Sequence, residues 1–423
     1  MRASGLKHTN SKPWQWVPSL YLIEGLPNAL VVTVAVVMLK NLGLNNDDVA
    51  FYTSLLYLPW VIKPLWSPFV DIIGSKRRWI SAMQLSMGVC MAVIGLSLSF
   101  PLWLAISLAG FWGAAFASAT HDIAADGFYL LALNQKQQAF FVGIRSTFYR
   151  LANLIASGGI VWLAGRMMSS GVEVSTAWQM IFAGLGVLFF IASIWHRIIL
   201  PRPDSDRPAD ARTVADVMHD FVLTFKTFFQ RPGIIAALLF MLLYRLPEAF
   251  LCKMVQPFLL DKRIDGGLEL TVEQVGVANG TFGVIGIVLG GIIGGIAIAH
   301  YGLRRCIWPM ALALTLPSAL YCYLAAAPTD NTLLICSGIA VEQFGYGFGF
   351  TAYMMYLMLF SEGSEYTTAH YAFSTGIMAL GLMLPGMLAG KLQLAVGYPA
   401  FFTIVMVMCL ATFAVTYLVR RKL

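Results

Sequence analysis

PRPDSDRPADARTVADVMHDFVLTFKTFFQR, Pro201 to Arg231, is the only sizeable polar stretch in this chain. On either side of it the sequence falls into apolar runs of about 20 residues, the length that crosses the hydrocarbon layer of a bilayer as a helix. Six precede it, at 16–39, 49–69, 79–99, 102–133, 139–165 and 177–199. Six follow, at 233–260, 274–299, 306–327, 332–360, 367–390 and 398–419. With 58% apolar and 12% charged residues, a water-soluble core cannot hide this much hydrocarbon surface, whereas a bilayer can. The pattern predicts an all-α polytopic membrane protein: a six-helix bundle over 1–200, a cytoplasmic linker over 201–232 and a second six-helix bundle over 233–423.

The first run carries Glu24 and Pro27 and ends without a small-residue cleavage site, so it reads as a retained helix and not a leader. The cysteines Cys90, Cys252, Cys306, Cys322, Cys336 and Cys409 lie in or at the ends of apolar runs without C-x-x-C spacing, which predicts packing residues and no metal site or disulfide framework. A net charge of +7 could signal nucleic acid, but its placement argues for topology. The basic residues gather at the termini and in alternate loops, as Lys76-Arg77-Arg78, Arg197 to Arg231, Arg304-Arg305 and Arg420-Arg421-Lys422. By the positive-inside rule both termini are expected in the cytoplasm.

The two sets of six repeat one another. Tyr21-x-x-Glu24-Gly-Leu-Pro27 in the first run corresponds to Tyr244-Arg-Leu-Pro247-Glu248 in the seventh. Asp71-Ile-Ile-Gly74-Ser-Lys76-Arg77-Arg78 after the second corresponds to His300-Tyr-Gly302-Leu-Arg304-Arg305 after the eighth. A parallel duplication of six-helix units resembles the major facilitator superfamily, whose halves rock around a midplane site. The resemblance implies that Asp71, Gly74, Lys76, Arg77, Arg78, Gly302, Arg304 and Arg305 form its cytoplasmic gate, although His300 stands where an acid is usual. Ordinary positive-inside loops are the alternative.

An ionisable group at membrane depth costs several kcal/mol unless paired or hydrated, so each is a functional candidate. Those present are Glu24, Lys63, Asp122, Asp126, Arg145, Arg150, Arg245, Glu248, Lys253 and Glu342. Asp122 and Asp126 are spaced i,i+4 and so share a helix face. Counting at about 1.5 Å per residue from the polar chain between the fourth and fifth runs, Asp126 and Arg145 lie about 12 and 10 Å deep, Asp122 and Arg150 about 18 Å. Antiparallel neighbours would therefore pair Asp126 with Arg145 and Asp122 with Arg150. Either the pairs serve only to neutralise each other, or a carboxylate leaves its pair, takes a proton and couples proton entry to rocking.

Arg245 and Glu248 flank Pro247, which frees a carbonyl and bends the helix, making either a binding elbow or a simple ion pair at a kink. Glu24 belongs to the matching elbow of the first run, with Tyr21 and Asn28 along the same side as cavity lining. Glu342 stands alone among glycines whose Gly345 and Gly349 allow close helix approach, as does the Gly286, Gly290, Gly294 row. The roles expected are proton coupling by Asp122, Asp126, Glu24 and Glu342, and solute binding by Arg145, Arg150, Tyr21, Asn28, Arg245, Glu248, Lys63 and Lys253. Buried cations favour a solute with carboxylate or phosphate groups.

Further pieces narrow the resemblance: Leu58-Pro59-Trp60 through Lys63-Pro64-Leu65-Trp66-Ser67-Pro68 and Asp71; His121-Asp122-Ile123 with Asp126-Gly127; Tyr244-Arg245-Leu246-Pro247 with Pro257-Phe258-Leu259-Leu260; and Glu342 with Thr368-Ala369-His370-Tyr371-Ala372. Together they resemble the AmpG-type muropeptide permeases and their acetyl-CoA transporter relatives. That family implies proton-driven import of bulky polar solutes, such as cell-wall sugar-peptides, across the bacterial inner membrane, with its acidic pair carried by Asp122 and Asp126. Two departures weaken a muropeptide assignment: the runs end at twelve, where AmpG-type permeases commonly have two more, and His121 replaces a usual glutamine; the siderophore permeases of the same branch, with twelve helices and similar motifs in the second and fourth, are the rival. A membrane-embedded enzyme would need a nucleophile with its base or a metal cluster, and no such spacing occurs. A non-transporting receptor or scaffold would suit larger soluble loops. The chain is thus expected to act as a monomer without cofactor, its partners a small polar organic solute, protons and the lipid bilayer.

Overall fold

The computed structural model describes residues 12–133, 135–203, 206, 214–362 and 367–421; Lys422 lies outside them. Every regular element among these residues is helical. Nine helices are long and apolar enough to cross a membrane, of which the last, His370–Arg420, contains Gly397 at φ 74°, ψ 168°. That conformation is open to glycine and not to residues with a Cβ, and it divides the helix into two spans, α11 (367–396) and α12 (398–420).

The first two spans are helical but interrupted. Span α1 (13–41) passes through a π turn at Leu30–Val34, just beyond Pro27. Span α2 (46–72) is broken by a 3-10 turn at Lys63–Leu65 around Pro64. The others are α3 (Lys76–Ser97), α4 (Trp103–Ala132), α5 (135–169), α6 (Val174–Ile199), α7 (Ile234–Leu260), α8 (Val272–Tyr301), α9 (Leu303–Ala326) and α10 (Thr332–Ser361). The twelve apolar runs are thus twelve helical spans.

Proline and glycine decide where these helices bend. In α7 the helix stops at Leu243 and restarts at Leu246, with Pro247 in the new first turn, where a missing N–H costs nothing. Bilayer carbonyls cannot turn to water, and here neighbours supply donors: Tyr353 donates to the Met241 carbonyl (2.6 Å) and Thr412 to that of Tyr244 (3.0 Å). Along α8, Gly286, Gly290 and Gly294 are buried against α10, where a Cβ on either of the first two would overlap the carbonyls of Ala340 and Phe344.

The described residues form two compact units that cut across the sequence halves. One comprises the described parts of 1–29, 65–153 and 178–219, around a core of Trp16, Leu20, Tyr21, Ile80, Phe128 and Tyr129. The other comprises 30–64, 154–177 and the described parts of 220–423. The segments from α1, α2 and α5 belong to the second because they pack backbone to backbone within it. A Cβ on Gly280 of α8 would overlap Gly158 of α5, and one on Gly276 would sit 2.6 Å from the Trp162 nitrogen.

The polar stretch read as a plain linker contains a helix, Val214–Phe229. Phe221, Phe225 and Phe228 recur at i, i+4 and i+7, and all three rings contact Phe373 of α11. Thr227 and Arg231 hydrogen-bond the His370 ring, at 3.1 and 3.3 Å, which fixes that histidine as an interfacial group.

Candidate functional site

In the first unit, α4 presents Asp126 to α1 and α5. Tyr21 donates to Asp126 Oδ1 (3.2 Å), and Arg145 Nη2 lies 2.8 Å from the same oxygen. The guanidinium also sits over the Tyr21 ring at 4.5 Å and the Tyr129 ring at 5.2 Å. Cation, carboxylate and phenol are held on three helices, yet the pair stays accessible: the Arg145 and Asp126 side chains are 29% and 50% exposed. Gly25 lets α1 approach, since a Cβ there would lie 2.7 Å from the Tyr149 carbonyl.

Glu24 is buried one turn beyond Tyr21 and Asn28 is half-buried one turn further. Asp122 is half-buried, and Tyr149 lies within electrostatic reach of Asp122, Glu24 and Asp126. Arg150 does not join the group. Its side chain is exposed, and among the described residues no ion pair links it to Asp122. Five residues turn a helix by about 140° beyond a full revolution, so Arg145 and Arg150 cannot both face α4; depth alone does not pair residues.

Behind the site, His121 faces away from Asp126. Its Nε2 contacts the Gln84 amide (2.9 Å), which reaches His196 Nδ1 (2.9 Å), whose Nε2 meets Ser19 (3.0 Å). This buried chain ties α4, α3, α6 and α1 together. The sequence marks neither Gln84 nor His196, because only the fold makes them neighbours. Tyr129, i+3 from Asp126, could have been found from its helix face.

In the second unit Arg245 clasps Glu248 with two bonds, Nε to Oε2 at 2.8 Å and Nη2 to Oε1 at 2.6 Å, and donates to Tyr346 at 2.9 Å. Phe350 and Tyr353 cover the guanidinium at 4.7 and 5.8 Å. The side chains of this pair are only 7% and 11% exposed. Glu342 is buried with Tyr321 donating to it at 3.3 Å and Gln343 at 2.8 Å. Lys253 is buried with its ammonium 3.1 Å from the Thr53 hydroxyl. Lys63 sits half-buried in the 3-10 turn of α2.

Of the basic-loop residues, Lys76 and Arg77 donate backbone N–H groups to the Asp206 carboxylate, at 2.7 and 3.1 Å. A linker acid thus caps α3, at the helix end whose dipole favours an anion. The Arg77 guanidinium wraps the end of α6, bonding the carbonyls of Leu200 (3.1 Å) and Arg197. The Arg78 N–H is capped by Ser75 (3.3 Å). The Lys76 side chain passes over Gly127, where a Cβ would make it shift. Gly74 is half-buried beside Trp79, and the Asp71 side chain is outside the described part. In the second loop, Gly302 turns the chain at φ 76°, and Arg304 and Arg305 are exposed.

The sequence profile described as Major Facilitator Superfamily matches residues 19–258, more than half of the chain. The chain belongs to the Major Facilitator Superfamily. Within it, the relatives are AmpG-type permeases. The anhydromuropeptide permease of Escherichia coli is 26% identical over 398 residues, covering 90% of this chain and 74% of its own. A Rickettsia conorii protein of the AmpG name, AmpG 4, is 24% identical over 415 residues, covering 94% of each chain. Among solved structures, a bacterial homolog of the human lysosomal transporter Spinster superposes with TM-score 0.71 at 15% identity over 98% of each chain. A D-xylose-proton symporter does so with TM-score 0.71 at 11% identity over 96% of each chain. The major facilitator fold and a membrane transporter follow from these matches, and the apolar spans agree with an integral membrane protein.

Proposed function

We propose that this major facilitator transporter is a proton-coupled importer of a polar, anionic organic solute, such as an anhydromuropeptide, with Asp126, Arg145 and Tyr21 as the place where proton and solute exchange. The observation that carries the reading is the half-exposed pair of Asp126 and Arg145. A solute carboxylate that takes over the guanidinium fork by paired hydrogen bonds leaves Asp126 beside a phenol and no cation, and a proton then neutralises it. Releasing the solute re-forms the pair and expels the proton. Glu24, Asp122 and Tyr149 supply neighbouring polar groups for the solute and for proton passage, and Glu342 a second protonatable carboxylate.

In this reading the monomer has both termini in the cytoplasm, the halves 1–200 and 233–423 rock about the midplane, and the loops at Lys76 to Arg78 and Arg304-Arg305 serve the gate on the cytoplasmic side. Uptake of labelled anhydromuropeptide and of a ferric siderophore into proteoliposomes, each with and without an inward proton gradient, tests it. Gradient-driven accumulation of the first, lost in Asp126→Asn with exchange retained, is the expected result. Uptake of either solute that ignores the gradient would sink proton coupling, and accumulation of only the siderophore would move the solute class.

A further inference from the structure

The second unit holds two polar layers about two turns apart along α2, α7 and α11, the first joined also by α1 and α12. In one layer Lys40 pairs with Asp261 at 2.6 Å, and Asn46 donates to Asp261 (3.0 Å), Gln393 (2.8 Å) and Tyr398 (2.9 Å), while Tyr398 donates to Asp261 (2.6 Å). The layer is complete: its cation has a carboxylate and its polar groups have one another. Two turns along α2, α7 and α11 lie Thr53 and Ser54, Lys253 and Gly386. Here the arrangement is incomplete.

Lys253 is 1% exposed, the least exposed of the lysines and arginines whose side chains the structure describes. Arg145, Arg245 and Lys40 each have a carboxylate partner. Among the described residues Lys253 has instead one hydroxyl, Thr53 at 3.1 Å, and the face of the Tyr57 ring at 5.1 Å. An ammonium has three donors, and burying one without an anion is costly. Beside it the Ser54 hydroxyl is fully buried and, among the described residues, has no hydrogen-bond partner. Ser54 Oγ and Lys253 Cγ converge on Gly386, 2.6 and 3.4 Å from where its Cβ would be. The buried ammonium and the buried Ser54 hydroxyl thus both lack an anion among the described residues, and glycine at 386 is what lets α11 pack against their side chains.

We propose that Lys253 and Ser54 form an oxyanion subsite, taking a carboxylate or phosphate group of the solute, with Thr53, whose hydroxyl donates to the Val49 carbonyl (2.7 Å), positioning the ammonium and the layer of Lys40, Asn46 and Asp261 shutting the subsite from one end. The assignment rests on the transport reading above and adds to it a second anion-holding point apart from Arg145. The subsite opens only when the polar layer above it parts, so it captures the anion in the state in which that end is open and encloses it on closure.

The test needs no gradient, so it can fail while proton-driven uptake stands. Thermal unfolding of the purified protein in detergent is followed against glucuronate, glucose 6-phosphate and, as neutral control, glucose, at matched ionic strength. Both anions, or one of them if the subsite selects its oxyanion, should stabilise the wild type in a saturable way, and glucose should not. Lys253→Met should fold, because it removes a lone buried charge, and should weaken the anion response by roughly tenfold to a hundredfold, the worth of a charged hydrogen bond. Ser54→Ala should weaken it less. A wild type that responds to neither anion, or a Lys253→Met protein that responds as the wild type does, overturns the subsite.

Discussion

Two carboxylate, arginine and tyrosine clusters occupy this protein, Asp126 with Arg145 and Tyr21 in one unit, Glu248 with Arg245 and Tyr346 in the other. In both, the guanidinium holds a carboxylate at hydrogen-bond distance, meets a phenol and lies against aromatic rings. They differ in construction. The first draws its members from three helices and leaves its carboxylate half exposed. The second is an i,i+3 pair on one helix, at a proline break, with both side chains nearly covered. A pair assembled from separate helices can be parted by a solute or by helix movement, and a half-exposed one lets water compensate the parted charges. A buried intrahelical pair has no such release. The same chemistry is thus open to solvent between helices in one place and enclosed at a helix break in the other.

The sharpest way to break this contrast is Arg245→Ala, which strands Glu248 in a covered site and should destabilise the protein by about 3–5 kcal/mol, read by thermal or denaturant unfolding in micelles. Adding Glu248→Leu should restore much of the loss, because the uncompensated charge goes too. A cost below about 1 kcal/mol would mean the pair is not a brace. The same substitution at the two phenols gives a finer comparison. Tyr346→Phe leaves a buried guanidinium donor without its acceptor and should cost about 1–3 kcal/mol, whereas Tyr21→Phe, beside an accessible carboxylate, should cost about 0.5–1.5 kcal/mol. Equal losses would erase the distinction. The smallest stability effect is expected for Asp126→Asn, under about 1 kcal/mol as for an exposed pair, although gradient-driven accumulation should disappear. A large unfolding shift there would recast Asp126 as structural.

A ferric siderophore and an anhydromuropeptide remain separable by the uptake comparison, since both present anionic oxygens to the same arginine.

Much of the first cluster is legible in the chain. The i,i+4 spacing of Asp122 and Asp126 fixes their common face, and counting rise per residue brings Arg145 opposite Asp126. The same counting misplaces Arg150, because it measures depth and ignores rotation. The linker helix was hidden by its charged flanks, although its phenylalanines repeat with helical period. Asp206 on α3, and the chain from His121 through Gln84 and His196 to Ser19, join residues more than 30 positions apart and leave no local signal.

The sequence by itself determined twelve helices and the identity of the charges within them, because hydrophobic length acts locally. Only the tertiary structure decided which charges are covered. Whether Arg145 is half open and Arg245 enclosed depends on the aromatic side chains that neighbouring helices bring over each, and whether Lys253 meets an anion depends on α2 and α11. Burial is a property of packing, and packing sums over chain far apart in sequence.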